Sequence, residues 1–189
     1  MTVIVEKTIS NGFKTFLISE VSLFLSLIWA FVHLALILNI WVLMIFPSRG
    51  IVTIFPYGIP LGNVLTLVKS SLPLQASLIW IKKGVKSIMI FSTTQTIACT
   101  GFFIAIQLKE YTTALFTISD SMYGTIFYSA TGLHGWHVGF ACLAILLNIY
   151  WMLGDKTYKE LHSYLKLCSL YWHVVDVVWI GLLILTYLL

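Results

Sequence analysis

Seven ionisable side chains stand inside apolar runs of this 189-residue chain: Glu20, His33, Lys69, His134, His137, His173 and Asp176. Such groups move protons or bind metals, and at membrane depth each needs a partner or water. Glu20, in FLISEVSLF, must be protonated, paired or hydrated. A proton or lipid-headgroup contact would meet that need, and so would a buried hydrogen bond between helices. Trp29 and His33 are i,i+4 neighbours but lie roughly opposite Glu20 on an ideal helix, so the three need not form one site. In ATGLHGWHVGF, His134 and His137 have an i,i+3 spacing that permits metal ligation. On another side of that helix Thr131, Gly135 and Gly139 form a small-residue stripe, a packing surface for a second helix. LYWHVVDVVW sets Trp172, His173 and Trp179 three or four positions from Asp176, where their N–H groups are within local reach of the carboxylate. A satisfied buried carboxylate explains that pattern; a proton relay is the sharper alternative.

The complement that these groups would need is not in the sequence. Zinc or copper requires further ligands, yet there is no HExxH motif, and Cys99, Cys142 and Cys168 stand singly in apolar stretches. A haem would need axial ligands on facing helices, which His33 or His173 could supply only by arbitrary pairing. Nucleophile elbows, phosphate-binding glycine loops and paired catalytic carboxylates are missing too. Lys69 can snorkel or face a hydrated crevice. No metal, cofactor or catalytic residue is therefore assigned to the chain. The competing class is a small membrane haem protein or transporter built on Glu20, His134, His137 and Asp176.

The elements that hold these groups follow from composition. The chain is 59% hydrophobic and 10% charged, with a mean hydropathy of +0.96, whereas soluble domains are about a quarter charged. A crossing takes about 20 apolar residues, and the length leaves no room for a separate soluble domain. The reading is an all-α integral membrane bundle, one transmembrane domain over 1–189, with about five helices near 13–46, 61–81, 88–108, 122–153 and 167–189. The second, which contains Lys69, Pro73 and Gln75, is the weakest; Trp80 and KKGVK mark its interfacial end.

The net charge of +4 comes from lysines near the ends of these segments. With five crossings, Lys7, Lys14, Lys82, Lys83, Lys86, Lys156, Lys159 and Lys166 fall on one side, against Arg49 and Lys109 on the other. The positive-inside rule then puts the N-terminus inside, and without a crossing at 61–81 the bias is nearly as strong but reversed. The segment MTVIVEKTISNGFK has neither the signal-peptide nor the transit-peptide pattern, so import is not indicated.

FLISEVSLF, FTISDSMYGTIFY, ATGLHGWHV and YWHVVDVVW, in this order and at this spacing, closely resemble cytochrome c oxidase subunit III. The resemblance covers essentially the whole chain and is weak between Phe46 and Ser87. It implies a non-redox core subunit without independent catalysis, packed mainly on subunit I, with subunit II and accessory subunits completing the complex. Haem and copper would then lie in the partner subunits. It also implies bound phospholipids such as cardiolipin, phosphatidylethanolamine or phosphatidylglycerol in a V-shaped cleft, and support of assembly, stability and proton uptake. By the same resemblance, Glu20 corresponds to an intramembrane glutamate and Trp29 and His137 to positions near the lipid cleft, while His173 and Asp176 serve packing and hydrogen bonding. The implied location is the mitochondrial inner membrane with the N-terminus in the matrix, or alternatively a bacterial plasma membrane.

Two departures from the family pattern stand out. The family usually has seven helices and this chain begins just before the third, so a separate two-helix polypeptide supplies the other wall of the cleft or the cleft is open or rebuilt. An arginine that the family places near lipid headgroups aligns with Trp151, with Lys156 and Lys159 as substitutes.

Overall fold

The computed structural model describes residues 3–41, 51–154 and 157–188. Five helices, α1 (Val3–Trp41), α2 (Ile59–Lys83), α3 (Lys86–Thr113), α4 (Met122–Leu153) and α5 (Tyr158–Leu183), are followed by a π-helical turn, Ile184–Leu188. All five are long and apolar enough to cross a membrane, in agreement with the hydropathy of the sequence.

The helix ends differ from expectation where polar residues find helical partners. α1 begins at Val3 rather than Phe13; Thr8 and Thr15 return their hydroxyls to the carbonyls of Ile4 and Asn11, and Glu6 accepts from the Ser163 hydroxyl at 2.7 Å. Its expected end at Phe46 lies outside the described residues. With 39 residues, α1 is about 58 Å long at the usual rise, well beyond the membrane core, so it tilts or projects. Glu20 consequently stands about 25 Å along this helix rather than two turns into it.

α2 runs unbroken through Pro73 and stops at Gly84, whose φ of 73° is the left-handed geometry that glycine adopts without a steric penalty. α3 continues through KEYTT, past the expected end near 108, because Glu110 turns inward and is 3% exposed, accepting from the Tyr187 hydroxyl at 3.2 Å. α4 has the expected bounds, and Ser121 caps it by accepting from the Gly124 N–H at 3.1 Å. α5 starts at Tyr158 rather than Leu167, since Thr157 caps it through the Glu160 N–H.

Neighbouring pairs α2–α3, α3–α4, α4–α5 and α5–α2 close a ring of four helices, and α1 lies along α4 and α5. Leu67, Leu74, Phe103, Phe127, Ile145, Leu165, Trp172 and Trp179 fill the ring, each under 2% exposed. α1 adds a line of buried contacts at seven-residue spacing, Leu17, Phe24 and Phe31, while Ile18, Leu25, Trp29 and Leu36 face outward.

The small-residue packing seam inside this chain is α2 against α3. Ser70 and Ser77 on one helix and Ser92, Thr93, Thr96 and Thr100 on the other are all buried. Each hydroxyl donates to a carbonyl one turn back in its own helix, so the seam brings two backbones together without stranding a polar group. Thr96 also reaches across to the Ser70 carbonyl at 3.4 Å.

Candidate functional site

Among the described residues, the carboxylate–imidazole contact between different helices joins α1 to α4. Glu20 Oε2 and His137 Nε2 are 2.6 Å apart, with side chains 23% and 10% exposed. His137 Nδ1 is 2.7 Å from the Leu133 carbonyl, which can only accept, so Nδ1 carries a hydrogen. Nε2 then either accepts from a protonated Glu20 or, in the imidazolium form, donates to its carboxylate. Both arrangements are neutral overall, which is how a carboxyl group can sit far from water at tolerable cost.

This pair borders a cavity of 730 Å³ between α1, α4 and α5. Its walls are apolar and aromatic: Phe13 and Phe16 from α1, Trp136 and Phe140 from α4, Leu167 and Tyr171 from α5. Phe16 stacks on Tyr171 with centroids 6.3 Å apart, and Phe24 meets the His137 ring edge-on at 5.0 Å. The volume and lining suit an apolar ligand with one polar anchor.

The other imidazole of the i,i+3 pair goes elsewhere. His134 is fully buried, donates from Nε2 to the Val175 carbonyl at 3.2 Å, and stacks on Trp179 at 4.5 Å. Phe103 meets both rings, at 5.8 and 5.2 Å. His134 and His137 therefore serve different partners, and no group of three or more metal-ligating side chains occurs among the described residues.

Around Asp176 the donors differ from those expected. Trp172 Nε1 donates to Ser70 Oγ at 3.1 Å, and Trp179 Nε1 has no hydrogen-bond partner among the described residues. The partner of Asp176 is the Ser71 hydroxyl of α2. His173 Nδ1 stands 4.0 Å from the same carboxylate, and Gln75 of α2 donates to His173 Nε2 and, at 3.1 Å, to Ser169. Sequence reasoning missed Ser71 and Gln75. They form an i,i+4 polar pair in the segment that looked weakest, and their polarity is the signal that could have identified them as a face turned toward α5.

Trp29 is 66% exposed on the outer face of α1 and stacks with His33 at 6.4 Å, away from Glu20. Thr131 is buried and bonded to the Tyr111 hydroxyl at 2.6 Å. A Cβ added at Gly135 or Gly139 would meet nothing within 4 Å, so no described helix of this chain occupies that part of the stripe. Trp151 packs edge-on against Tyr164 at 4.6 Å, Lys159 is exposed, and Lys156 lies outside the described residues. Lys69 is exposed on α2.

Comparison with known proteins agrees with this architecture. The family model for cytochrome c oxidase subunit III matches residues 1–189. Cytochrome c oxidase subunit 3 of Marchantia polymorpha is 36% identical over 191 residues, covering 98% of this chain and 70% of that protein. The subunit 3 proteins of Arabidopsis thaliana and Emericella nidulans are 36% and 38% identical, over 98% and 97% of this chain and 70% and 68% of theirs. The five crossings, the motif order and these matches together place the chain in the cytochrome c oxidase subunit III family.

Proposed function

We propose that this chain is a non-redox subunit of respiratory cytochrome c oxidase that holds phospholipid in the α1/α4/α5 cavity. The observation that carries this reading is the neutral Glu20–His137 pair beside an otherwise apolar cavity of 730 Å³. Acyl chains fit the aromatic walls, and the pair offers one polar anchor to the lipid backbone or headgroup. Lys159, exposed near the start of α5, supplies a headgroup contact, and Trp29 meets lipid on the outer face of α1. Haem and copper belong to the partner subunits, of which subunit I is the main neighbour; subunit II and accessory subunits complete the assembly. The lipid supports stability and proton uptake in that neighbour. The lysine bias and the kinship to plant and fungal subunit 3 proteins support the mitochondrial inner membrane, N-terminus in the matrix.

Glu20→Gln tests the anchor. The oxidase containing it should assemble, retain phospholipid roughly tenfold more weakly, as for loss of one charge-assisted hydrogen bond, and lose activity faster during turnover. Quantifying lipid in the purified complex checks this, and wild-type lipid content with wild-type durability would sink the assignment. Gly135→Leu tests the open stripe as a subunit interface. The side chain has room within this chain, so the helix content of the isolated subunit should be kept while complex yield drops; normal yield would remove Gly135 from the interface.

A further inference from the structure

A second cavity, of 520 Å³, lies between α1, α2 and α5 and shares only Leu167 with the first. Three exposed lysines line it, one from each helix: Lys14, Lys82 and Lys166. His162 joins them, and Gln75 and His173 stand farther along the same wall. No carboxylate lines it, and none lies within 4.0 Å of these lysines among the described residues. Two acids, Glu6 and Glu160, line an adjoining cavity together with Ser10, Lys166 and Leu167, and Glu6 accepts from Ser163; Asp176 is bonded to Ser71.

Three like charges from separate helices around one cavity repel each other, and no carboxylate in the cavity wall offsets this. An anion with several acceptor oxygens does so, and a phosphate can take a hydrogen bond from each ammonium. Other lysines on this side of the chain do not line the cavity. Lys83, the neighbour of Lys82, lies over the Trp80 ring at 4.6 Å. The cavity also has apolar walls, from Leu78, Ile79 and Leu170, which suits a phosphate carried by an amphiphile at the basic side of the membrane.

We propose that Lys14, Lys82 and Lys166 form a phosphate-binding site between α1, α2 and α5, separate from the Glu20 cavity. The test uses the assembled complex in phosphatidylcholine nanodiscs with and without phosphatidylglycerol, and with inorganic phosphate in a parallel series. Amine acetylation of the wild-type protein should be slowed at Lys14, Lys82 and Lys166 by the occupant and unchanged at Lys83. Lys→Gln changes at the three positions should weaken retention about fivefold per lysine. The triple Lys→Arg variant should bind like wild type, and Lys83→Gln should have no effect.

Protection by phosphatidylglycerol makes the occupant a lipid phosphate, and protection by inorganic phosphate alone makes it the free anion; either supports the site. Equal acetylation of all four lysines under every condition overturns it, even if the triple Gln variant fails to fold. Glu20→Gln should leave this protection intact, so failure of the lipid anchor and failure of the phosphate site are read separately.

Discussion

Phe103→Ala is expected to cost the folded chain about 3–5 kcal/mol, the range for removing a fully buried phenyl group. Phe103 is 0% exposed and wedges against His134 and Trp179 in the centre of the four-helix ring. Those rings are stacked on each other and His134 is bonded to the Val175 carbonyl of α5, so they cannot collapse freely into the space. A lower unfolding temperature of the detergent-solubilised subunit is the measurement. The Glu20–His137 pair lies on the α1 side of α4, outside this wedge, so lipid retained by surviving complex should be near wild type. A large loss of lipid without loss of stability would contradict the division of α4 into a structural imidazole and a cavity imidazole.

Gly124→Ala should also be strongly destabilising, by about 1–3 kcal/mol, the usual range for forced overpacking. A Cβ at this position would stand 2.4 Å from the Thr117 carbonyl oxygen. The obstacle is backbone, so no rotamer change relieves it. The segment that would have to move is pinned at several points: Thr125 donates to the Ile118 carbonyl at 2.7 Å, Tyr128 to the Phe116 carbonyl at 2.9 Å, and the Thr117 N–H to Asp120 at 2.6 Å. That last bond, with the Thr117 hydroxyl, holds the Asp120 carboxyl below the usual aspartate range. Proteolysis of the 114–121 connection, compared between wild type and variant, reports the displacement; equal cleavage and equal unfolding temperatures would show that the close approach is not maintained. The same change at Gly135 should be mild, because nothing lies within 4 Å there.

The contrast between these glycines shows what spacing could and could not tell. Thr131, Gly135 and Gly139 form a clear small-residue period, yet the close approaches within the chain are at Gly124 and along the serines and threonines of α2 and α3. A stripe states that a helix can be approached, and only the placement of the neighbours states whether it is. Polar segments misled in a related way. A third helix ending near 108 leaves the polar KEYTT outside it, but Glu110 turns inward to Tyr187 and α3 continues to Thr113. Hydropathy averages over a window and cannot see that one carboxyl has a hydroxyl waiting 77 positions away.

By itself the sequence determined the solvent and the number of helices long and apolar enough to cross a membrane, and it put most lysines near their ends. These are sums over contiguous residues, and transfer of a helix into lipid depends on such sums. The fourfold motif resemblance added the family. Tertiary structure alone decided the pairings. It set Glu20 on His137 across 117 positions, sent His134 to Val175 and Trp179, and gave Asp176 to Ser71. Those choices depend on the rotation and crossing of each helix, which follow from packing in three dimensions and leave no periodic trace along the chain.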